Sequence, residues 1–488
     1  MATAESGICG GGDIILLMQN RTLITKKNLE EKVGETVILA GFVETKRDHG
    51  KITFIDLRDR EGIVQCVGYK MMGEVTTESV VKIVGEVKAR PEKMVNKEIE
   101  TGGVEVEVKE YEVLSKAAEL PMSLDTEGYE IGEETRLKYR YLDLRRKRMA
   151  KNLRARSEFV RAVREELYER GFMEIETPIL SQATMEGARD FLVPSRLAKG
   201  KFYALPQSPQ QYKQLLMAAG MERYFQIARC FRDEDLRADR LLELTQVDLE
   251  MSYVEKPEEV MEVVEEVVKG AIKKVGGKLQ KEQFPVIAYQ EAMKKYGADR
   301  FDLRSEKEKE EGILAFAWVV NFPFFKRVDK EDAAEIRDGK SGWTFTHNPF
   351  SRPLKEYEQD LMEGKNIENI ITAQYDLVCN GYEVGGGSVR AHTPEMLTAT
   401  YKIMGYSDEE IRESIGQMLS AFELGTPPHG GIALGLDRLM MVLAKEKSIK
   451  EVVAFPTTGS GRTAVMSAPT EASEEQLAEL GIGIGKKV

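Results

Sequence analysis

Two arginines in separate stretches carry the first chemical signal. Arg232 stands in YFQIARCFRDEDLRADRLLELTQVDLEMSY, which starts at Tyr224. The apolar runs flanking FRDED read as a strand, a charged loop and an antiparallel return strand. An arginine beside such a loop offers a planar fork that fits a phosphate. Arg438 stands in GGIALGLDRLMMVLA, from Gly430. There a glycine-rich strand feeds an apolar helix, and close backbone approach at Gly435 leaves room for a ligand. Arg438, near the helix start, is a second cation for a polyphosphate. Each stretch also has a plainer reading: a surface salt-bridge loop for FRDED, an ordinary helix entry for GLDR. A third stretch, GFMEIETPIL at 171–180, reads as a strand broken by Pro178. All three in this order are more specific than any one.

The chain that must position them has 488 residues, about three domain-sized units on the usual length prior. Apolar residues make up 42% and charged residues 31%, so a sizeable core is expected and global disorder is not. The net charge of −12 argues against nucleic-acid binding by a bulk positive field but allows a local basic patch. No apolar run approaches the ~20 residues of a membrane span. Cys9, Cys66, Cys230 and Cys379 are scattered, with no CxxC pair, and there are four histidines. Neither a disulfide framework nor a zinc site is expected, and a reducing cytosol is the natural compartment. The apolar stretch at 14–18 has no basic flank, so no signal peptide is expected. Residues 1–20, with three consecutive glycines, read as an extension.

From about Glu35 the pattern turns to short β runs: ETVILAGFVETK, KITFIDLRD, GIVQCVGY and TGGVEVEVKEYEVL. Strands at this spacing suggest a small barrel or sandwich. Lys46, Arg47, Lys51, Arg58 and Arg60 surround Phe54 on these hairpins. Cations around an exposed aromatic suit a single-stranded nucleic acid; a charged hairpin rim is the plainer reading. The basic run RLKYRYLDLRRKRMAKNLRAR at 136–156 reads as a solvated helix face or a phosphate contact. Phe159, Val160, Val163 and Leu167 sit at helical spacing before Gly171, and Val260, Val263, Val264, Val267 and Val268 mark a second amphipathic helix. RSEKEKEEG at 304–312 reads as a surface connection.

The three chemical stretches resemble motifs 1, 2 and 3 of class II aminoacyl-tRNA synthetases. With the N-terminal barrel, the chain resembles the aspartyl-tRNA synthetases of bacterial type from about Arg21 onward. EGARD at 186–190, QSPQQYKQ at 207–214 and NGYEVGGGSVR at 380–390 extend the resemblance. It implies an α+β chain: an N-terminal OB-fold β-barrel, then a class II catalytic domain with an antiparallel β-sheet flanked by helices. The implied divisions are an extension at 1–20, an anticodon-binding barrel at 21–120, a basic hinge at 121–150 and a catalytic domain at 151–488. A homodimer is also implied. The implied reaction joins L-aspartate to ATP, with Mg²⁺, and transfers the aspartyl group to the 3′ end of tRNA-Asp.

Such a reaction needs no enzyme nucleophile; positioning and electrostatics carry it. By resemblance, Arg232 holds the α-phosphate, Arg438 the γ-phosphate, and Glu234 reads the adenine side. Asp233, Gly435, Leu436 and Asp437 complete the ATP set. Asp376 and Glu383 would bind Mg²⁺, which prefers one or two carboxylates plus phosphate oxygens; paired surface carboxylates are the plainer reading. Lys213 and Arg390 would meet the aspartate side-chain carboxylate. Glu186, Ser208 and Gln210 would take the α-amino end, with Asp248 as a further polar partner and His347, in THNPF, closing over the substrate. Such a cation pair should reject asparagine, whose neutral amide leaves both charges unpaired. In the barrel, Arg47, Phe54, Gln65 and Glu105 match anticodon-reading positions. His49 resembles enzymes that also charge tRNA-Asn and Lys93 resembles strict ones, so the two residues conflict.

The chain departs from the family pattern in two places. The domain usually inserted between motifs 2 and 3 is reduced to a short segment near 290–320. Leu241 and Leu244 stand where the pattern has a glutamine and an adenine-stacking aromatic, so weaker ATP binding is expected. Rival readings are an asparaginyl- or lysyl-tRNA synthetase, a synthetase-like paralog acting without tRNA, and a non-catalytic tRNA-binding protein.

Overall fold

The computed structural model describes residues 20–184, 186–328 and 341–485. The expected extension lies outside them except for its last residue. The chain divides after Ser123 into two compact units.

The first unit is a closed five-stranded barrel. Its strands are β1 (Thr36–His49), β2 (Ile52–Arg58), β3 (Ile63–Tyr69), β4 (Val80–Ala89) and β5 (Val104–Ser115), in the order β1-β2-β3-β5-β4. Alternation makes it: in VVKIVGEVKA of β4 every second residue is buried, as a strand with one core face requires. The buried set includes Leu39, Val43, Ile55, Leu57, Val64, Ile83 and Val106. The β1–β2 turn places Gly50 at φ +65°, a left-handed conformation that favours glycine.

The second unit is built on an eight-stranded sheet. Its strands are β6 (Met173–Glu174), β9 (Arg223–Phe231), β10 (Glu243–Ser252), β11 (Val286–Ala288), β12 (Phe316–Val320), β15 (Gln374–Cys379), β16 (Tyr382–Val389) and β17 (His429–Gly435). Two small hairpins, β7 (Leu192–Pro194) with β8 (Phe202–Ala204) and β13 (Phe325–Arg327) with β14 (Trp343–Phe345), stand apart from it. The sheet order is β11-β12-β15-β16-β17-β10-β9-β6. Its interior pairs are antiparallel, and the two edge pairs, β11–β12 and β6–β9, are parallel. Helices Lys147–Glu169 and Pro257–Lys274 pack with the sheet in one core that holds Phe159, Val163, Val264, Val268, Leu249 and Ile432. Helix Pro257–Lys274 starts with proline and two glutamates and ends with two lysines, which favours its termini and complements its dipole.

The basic run behaves differently from expectation. Arg136, Arg140 and Arg146 are buried, not solvated. All three bind the buried carboxylate of Asp143, at 2.8 to 3.1 Å. Arg136 and Arg148 also bind Glu451, and Arg148 binds Glu446. These arginines join the segment after Leu124 to the stretch that follows motif 3. A phosphate contact by Arg136, Arg140 or Arg146 is thereby excluded, because their donors are already engaged inside the fold. RSEKEKEEG holds a short helix, Glu306–Glu311, with no buried residue and Ser305 as its cap. It is a brief surface connection, as its composition predicts.

Candidate active site

Most of the expected catalytic-domain site residues meet in one cleft, brought there by strands, helices and loops of the second unit. Lining it are Glu186, Ser208, Gln210, Lys213, Arg232, Glu234, Asp248, His347, Asp376, Glu383, Arg390, Gly435, Asp437 and Arg438. Motif 2 forms the strand-loop-strand expected: β9 and β10 pair antiparallel from Phe231↔Glu243 onward. Arg232 and Glu234 lie on the loop between them, and Arg438 lies in the first turn of helix Leu436–Leu443, directly after β17.

Four charges form the floor. Lys213 Nζ lies 2.7 Å from Asp248 Oδ1 and 3.2 Å from Glu250 Oε2. Arg390 donates from Nε to Glu250 Oε1 at 2.8 Å and from its terminal nitrogens to Ser388 Oγ and the Gly431 carbonyl. All four charged side chains are at most 2% exposed. The two cations thus converge on one carboxylate. Burial pushes Glu250 up, but Arg390 and Lys213 together outweigh it and hold the carboxyl below its ordinary value. Asp248 goes the other way: burial dominates over Lys213 and raises it, and its Oδ2 is buried without a hydrogen-bond partner. Glycine makes room for this layer. A Cβ on Gly431 would lie 2.0 Å from Glu250 Oε2, so no larger residue fits there.

Glu250 was missed in the sequence. The signal was present: Gln246, Asp248 and Glu250 alternate along one strand and therefore share a face.

Around the floor, Ser208 donates to Glu186 Oε2. Glu186 Oε1 is buried with no partner, and burial raises its carboxyl. Asp376 accepts from Gln374 at 2.7 Å and lies 3.1 Å from His347 Nε2. Asp376 Oδ1 and Glu383 Oε1 would lie 3.1 and 3.6 Å from a Cβ on Gly386, so both carboxylates close over the same glycine. Burial and the nearby Asp376 raise Glu383. At the other end, Arg240 pairs with Glu234 at 2.8 Å, and Arg438 with Asp239 at 3.3 Å. Leu241, Leu244 and Ile449 line this end.

Three of the expected ATP residues have side chains or backbone engaged by the fold itself. The Leu436 side chain enters the core at 1% exposure, because the first turn of the helix aims it away from the cleft. Asp233 is absent from the lining and pairs its backbone N–H with the Arg189 carbonyl. Asp437 lines the cleft, but its carboxylate accepts from the Thr245 N–H and pairs with Arg156 at 2.6 Å. It anchors motif 3 to motif 2.

In the barrel, Arg47 lies opposite Phe54 across β1 and β2. Gln65 accepts from Arg47 at 3.4 Å and donates to Glu105 at 3.0 Å, so these four residues share one face. The His49 ring meets the Phe54 ring edge-on at 5.8 Å between centroids. Lys93 is exposed in a short turn, Glu92–Met94. Cys66, Cys230 and Cys379 are free and buried. Among the described residues, no cluster of three or more His, Cys, Asp or Glu suited to a metal is found, and no helix is long and apolar enough to cross a membrane.

Two family models match the chain. One describes an OB-fold nucleic acid binding domain, over residues 37–114, and the other tRNA synthetases class II (D, K and N), over residues 132–459. The Aspartate--tRNA(Asp/Asn) ligase of Phenylobacterium zucineum is 37% identical, covering 93% of this chain and 97% of the relative. The Aspartate--tRNA ligase of Macrococcus caseolyticus is 36% identical, covering 95% and 98%. The first alignment runs over 586 positions, more than the 488 residues of this chain, so part of that relative has no counterpart here. Among solved structures, an aspartyl-tRNA synthetase from Entamoeba histolytica shares the fold at TM-score 0.70 and 21% identity, over 93% of this chain and 96% of that one. The asparaginyl-tRNA synthetase of Pyrococcus horikoshii with asparaginyl-adenylate shares it at TM-score 0.69 and 24% identity, over 89% and 99%. With one family model spanning most of its second unit, and relatives aligned along nearly its whole length, the chain belongs to the class II tRNA synthetases of the D, K and N group.

Proposed function

We infer that this chain is an aspartate–tRNA ligase. The observation that carries the reading is the convergence of Lys213 and Arg390 on the carboxylate of Glu250, both cations buried. A substrate carboxylate entering the cleft reaches two fixed positive groups. The amide of asparagine offers them no charge. The two cations would then not stand unpaired, the outcome expected from the sequence, but would keep only Glu250 and Asp248. The orphaned oxygens of Glu186 and Asp248 are acceptors for the α-ammonium end.

Arg232, at the mouth of the motif 2 loop, binds the α-phosphate of ATP, and Arg438 the γ-phosphate. The aspartate α-carboxylate attacks the α-phosphorus and pyrophosphate leaves with the electron pair of the broken P–O bond. Both arginines lower the charge developing on the phosphate oxygens. A 3′ hydroxyl of tRNA then attacks the acyl carbon and AMP leaves. Glu234 and Arg438 are paired with Arg240 and Asp239 in the structure, so nucleotide binding exchanges these ion pairs for phosphate and adenine contacts.

Asp376 and Glu383 fit a magnesium ion. Two carboxylates close over one glycine, and the crowding that raises Glu383 is the kind a cation relieves. Held there, Mg²⁺ would supply positive charge against the phosphates of the nucleotide.

Arg47, Phe54, Gln65 and Glu105 form the anticodon surface, with Phe54 stacking and the polar pair reading base edges. The enzyme works as a cytoplasmic homodimer through the motif 1 region, where Tyr168, Met173, Ile179 and Leu180 are exposed. Relatives named for two acceptors and for one are 37% and 36% identical; tRNA-Asn charging is tested by acylating both transcripts. ATP–pyrophosphate exchange with each of the twenty amino acids tests the main reading. Exchange with aspartate is expected; exchange with asparagine or lysine in its place would overturn it.

A further inference from the structure

Helix Gln210–Ala218 buries Gln210, Lys213, Gln214 and Met217 on one face, at helical spacings of three and four. Two of these are neutral amides. Gln210 lines the cleft and Gln214 does not. Gln210 Nε2 donates to Gln214 Oε1 at 2.9 Å. Gln214 Nε2 lies 3.0 Å from His429 Nε2, and His429 Nδ1 lies 2.8 Å from the Pro427 carbonyl oxygen.

The direction of this chain follows from its far end. A carbonyl oxygen only accepts, so His429 Nδ1 carries the proton. Burial pushes His429 down to about 4. Of its charged neighbours, Glu250 opposes that shift, while Arg390 and His392 add to it. The ring is therefore neutral, and its Nε2 is a bare acceptor. Gln214 must turn its NH₂ toward that nitrogen and its oxygen toward Gln210. Gln210 must in turn give its NH₂ to Gln214. Its Oε1 is then left as the free acceptor on a side chain that lines the cleft. The flipped amide would present N–H groups to a substrate ammonium, which repel it.

We propose that His429 and Gln214 are positioning residues that lock the Gln210 amide with its carbonyl oxygen available to the α-ammonium of the amino-acid substrate. This rests on aspartate being that substrate. A histidine tautomer on β17 thereby sets recognition at the amino end, while Lys213, on the same helix face, serves the carboxylate end.

The test separates the two ends of the substrate. Succinate, which is aspartate without the α-ammonium, is titrated as a competitor of aspartate. In Gln214→Met, the KM for aspartate in ATP–pyrophosphate exchange should rise about tenfold, with the KM for ATP and the succinate inhibition constant unchanged. A shift of both aspartate and succinate, or of neither, overturns the proposal. Should Gln214→Met not fold, the wild-type protein still decides. With four histidines, selective ¹⁵N labelling resolves each ring, assigned by replacing the other three in turn. His429 should be neutral at pH 7 with its proton on Nδ1; a proton on Nε2 reverses the chain and overturns the proposal. Failure of the wild-type enzyme to exchange with aspartate would instead overturn the functional reading beneath it.

Discussion

Lys213 Nζ stands 3.2 Å from Glu250 Oε2, on the carboxylate that also holds Arg390. The pair makes the floor a balanced layer of two cations and two anions, so removing either cation leaves negative charge where the substrate brings more. Lys213→Met should lower kcat/KM for aspartate by about 3 kcal/mol, roughly 10²-fold. The KM for ATP should move little. Pyrophosphate exchange kinetics check this; a variant with an unchanged aspartate KM would remove Lys213 from the pocket.

Glu383 and Asp376 crowd one another over Gly386. If they hold Mg²⁺, Glu383→Gln should raise the Mg²⁺ concentration for half-maximal exchange by about tenfold. Thermal stability should hold or rise, since the substitution relieves a like-charge contact. A Mg²⁺ titration of exchange activity decides; an unchanged midpoint assigns the cation elsewhere.

Much of the cleft could be read from short stretches of sequence, because motif spacing carries it: Arg232 after one strand, Arg438 at a helix start, Lys213 and Gln210 three apart on a helix. Two features escaped. Adjacency in a motif does not mean a shared face, and successive helical positions diverge by about 100°, which sends Leu436 into the core beside Asp437. Pairing at long separation is also invisible. Arg136 and Arg148 look solvated in the sequence because Glu446 and Glu451, their partners, lie some three hundred residues away. The barrel, built from local alternation, was the more legible half.

Asp143 gathers Arg136, Arg140 and Arg146 in a buried cluster. Asp143→Asn leaves these cations facing a neutral group and should cost about 3–5 kcal/mol, measured by urea unfolding. Burial alone would raise Asp143, but Arg136 and Arg146 prevail and lower it. A carboxyl depressed in the folded state binds its proton less tightly than in the unfolded chain. Its contribution is therefore full above the unfolded value near 3.8 and is lost as pH falls through the lower folded value. Wild type should lose stability in that acid range, and Asp143→Asn should show a flatter profile there.

Phe54 lies beside His49 on the barrel, in a unit separate from the cleft. Phe54→Ala should lower kcat/KM for tRNA aminoacylation by about 1–3 kcal/mol, the value of one stacked base, and leave pyrophosphate exchange untouched. A parallel loss in both assays would mean the barrel face does not read tRNA.

Leu244 lines the cleft beside Leu241 and Ile449, where the family pattern supplies an aromatic for the adenine ring. It is the cross-strand partner of Cys230 at the open end of the β9–β10 pair, and it is only half-buried. A larger ring can therefore extend into the cleft without displacing the core. An aliphatic face packs on a purine but forgoes most of the stacking term, worth about 1–3 kcal/mol. Leu244→Phe should lower the KM for ATP about fivefold, near 1 kcal/mol, while the aspartate KM and tRNA kinetics stay as they are. Leu241 does not offer the same opening: it is 3% exposed and part of the core, so an added ring there would be overpacked and cost about 1–3 kcal/mol of stability. The contrast between the two leucines is the check. An ATP KM that falls in Leu241→Phe, or fails to fall in Leu244→Phe, would mean the adenine lies against another wall.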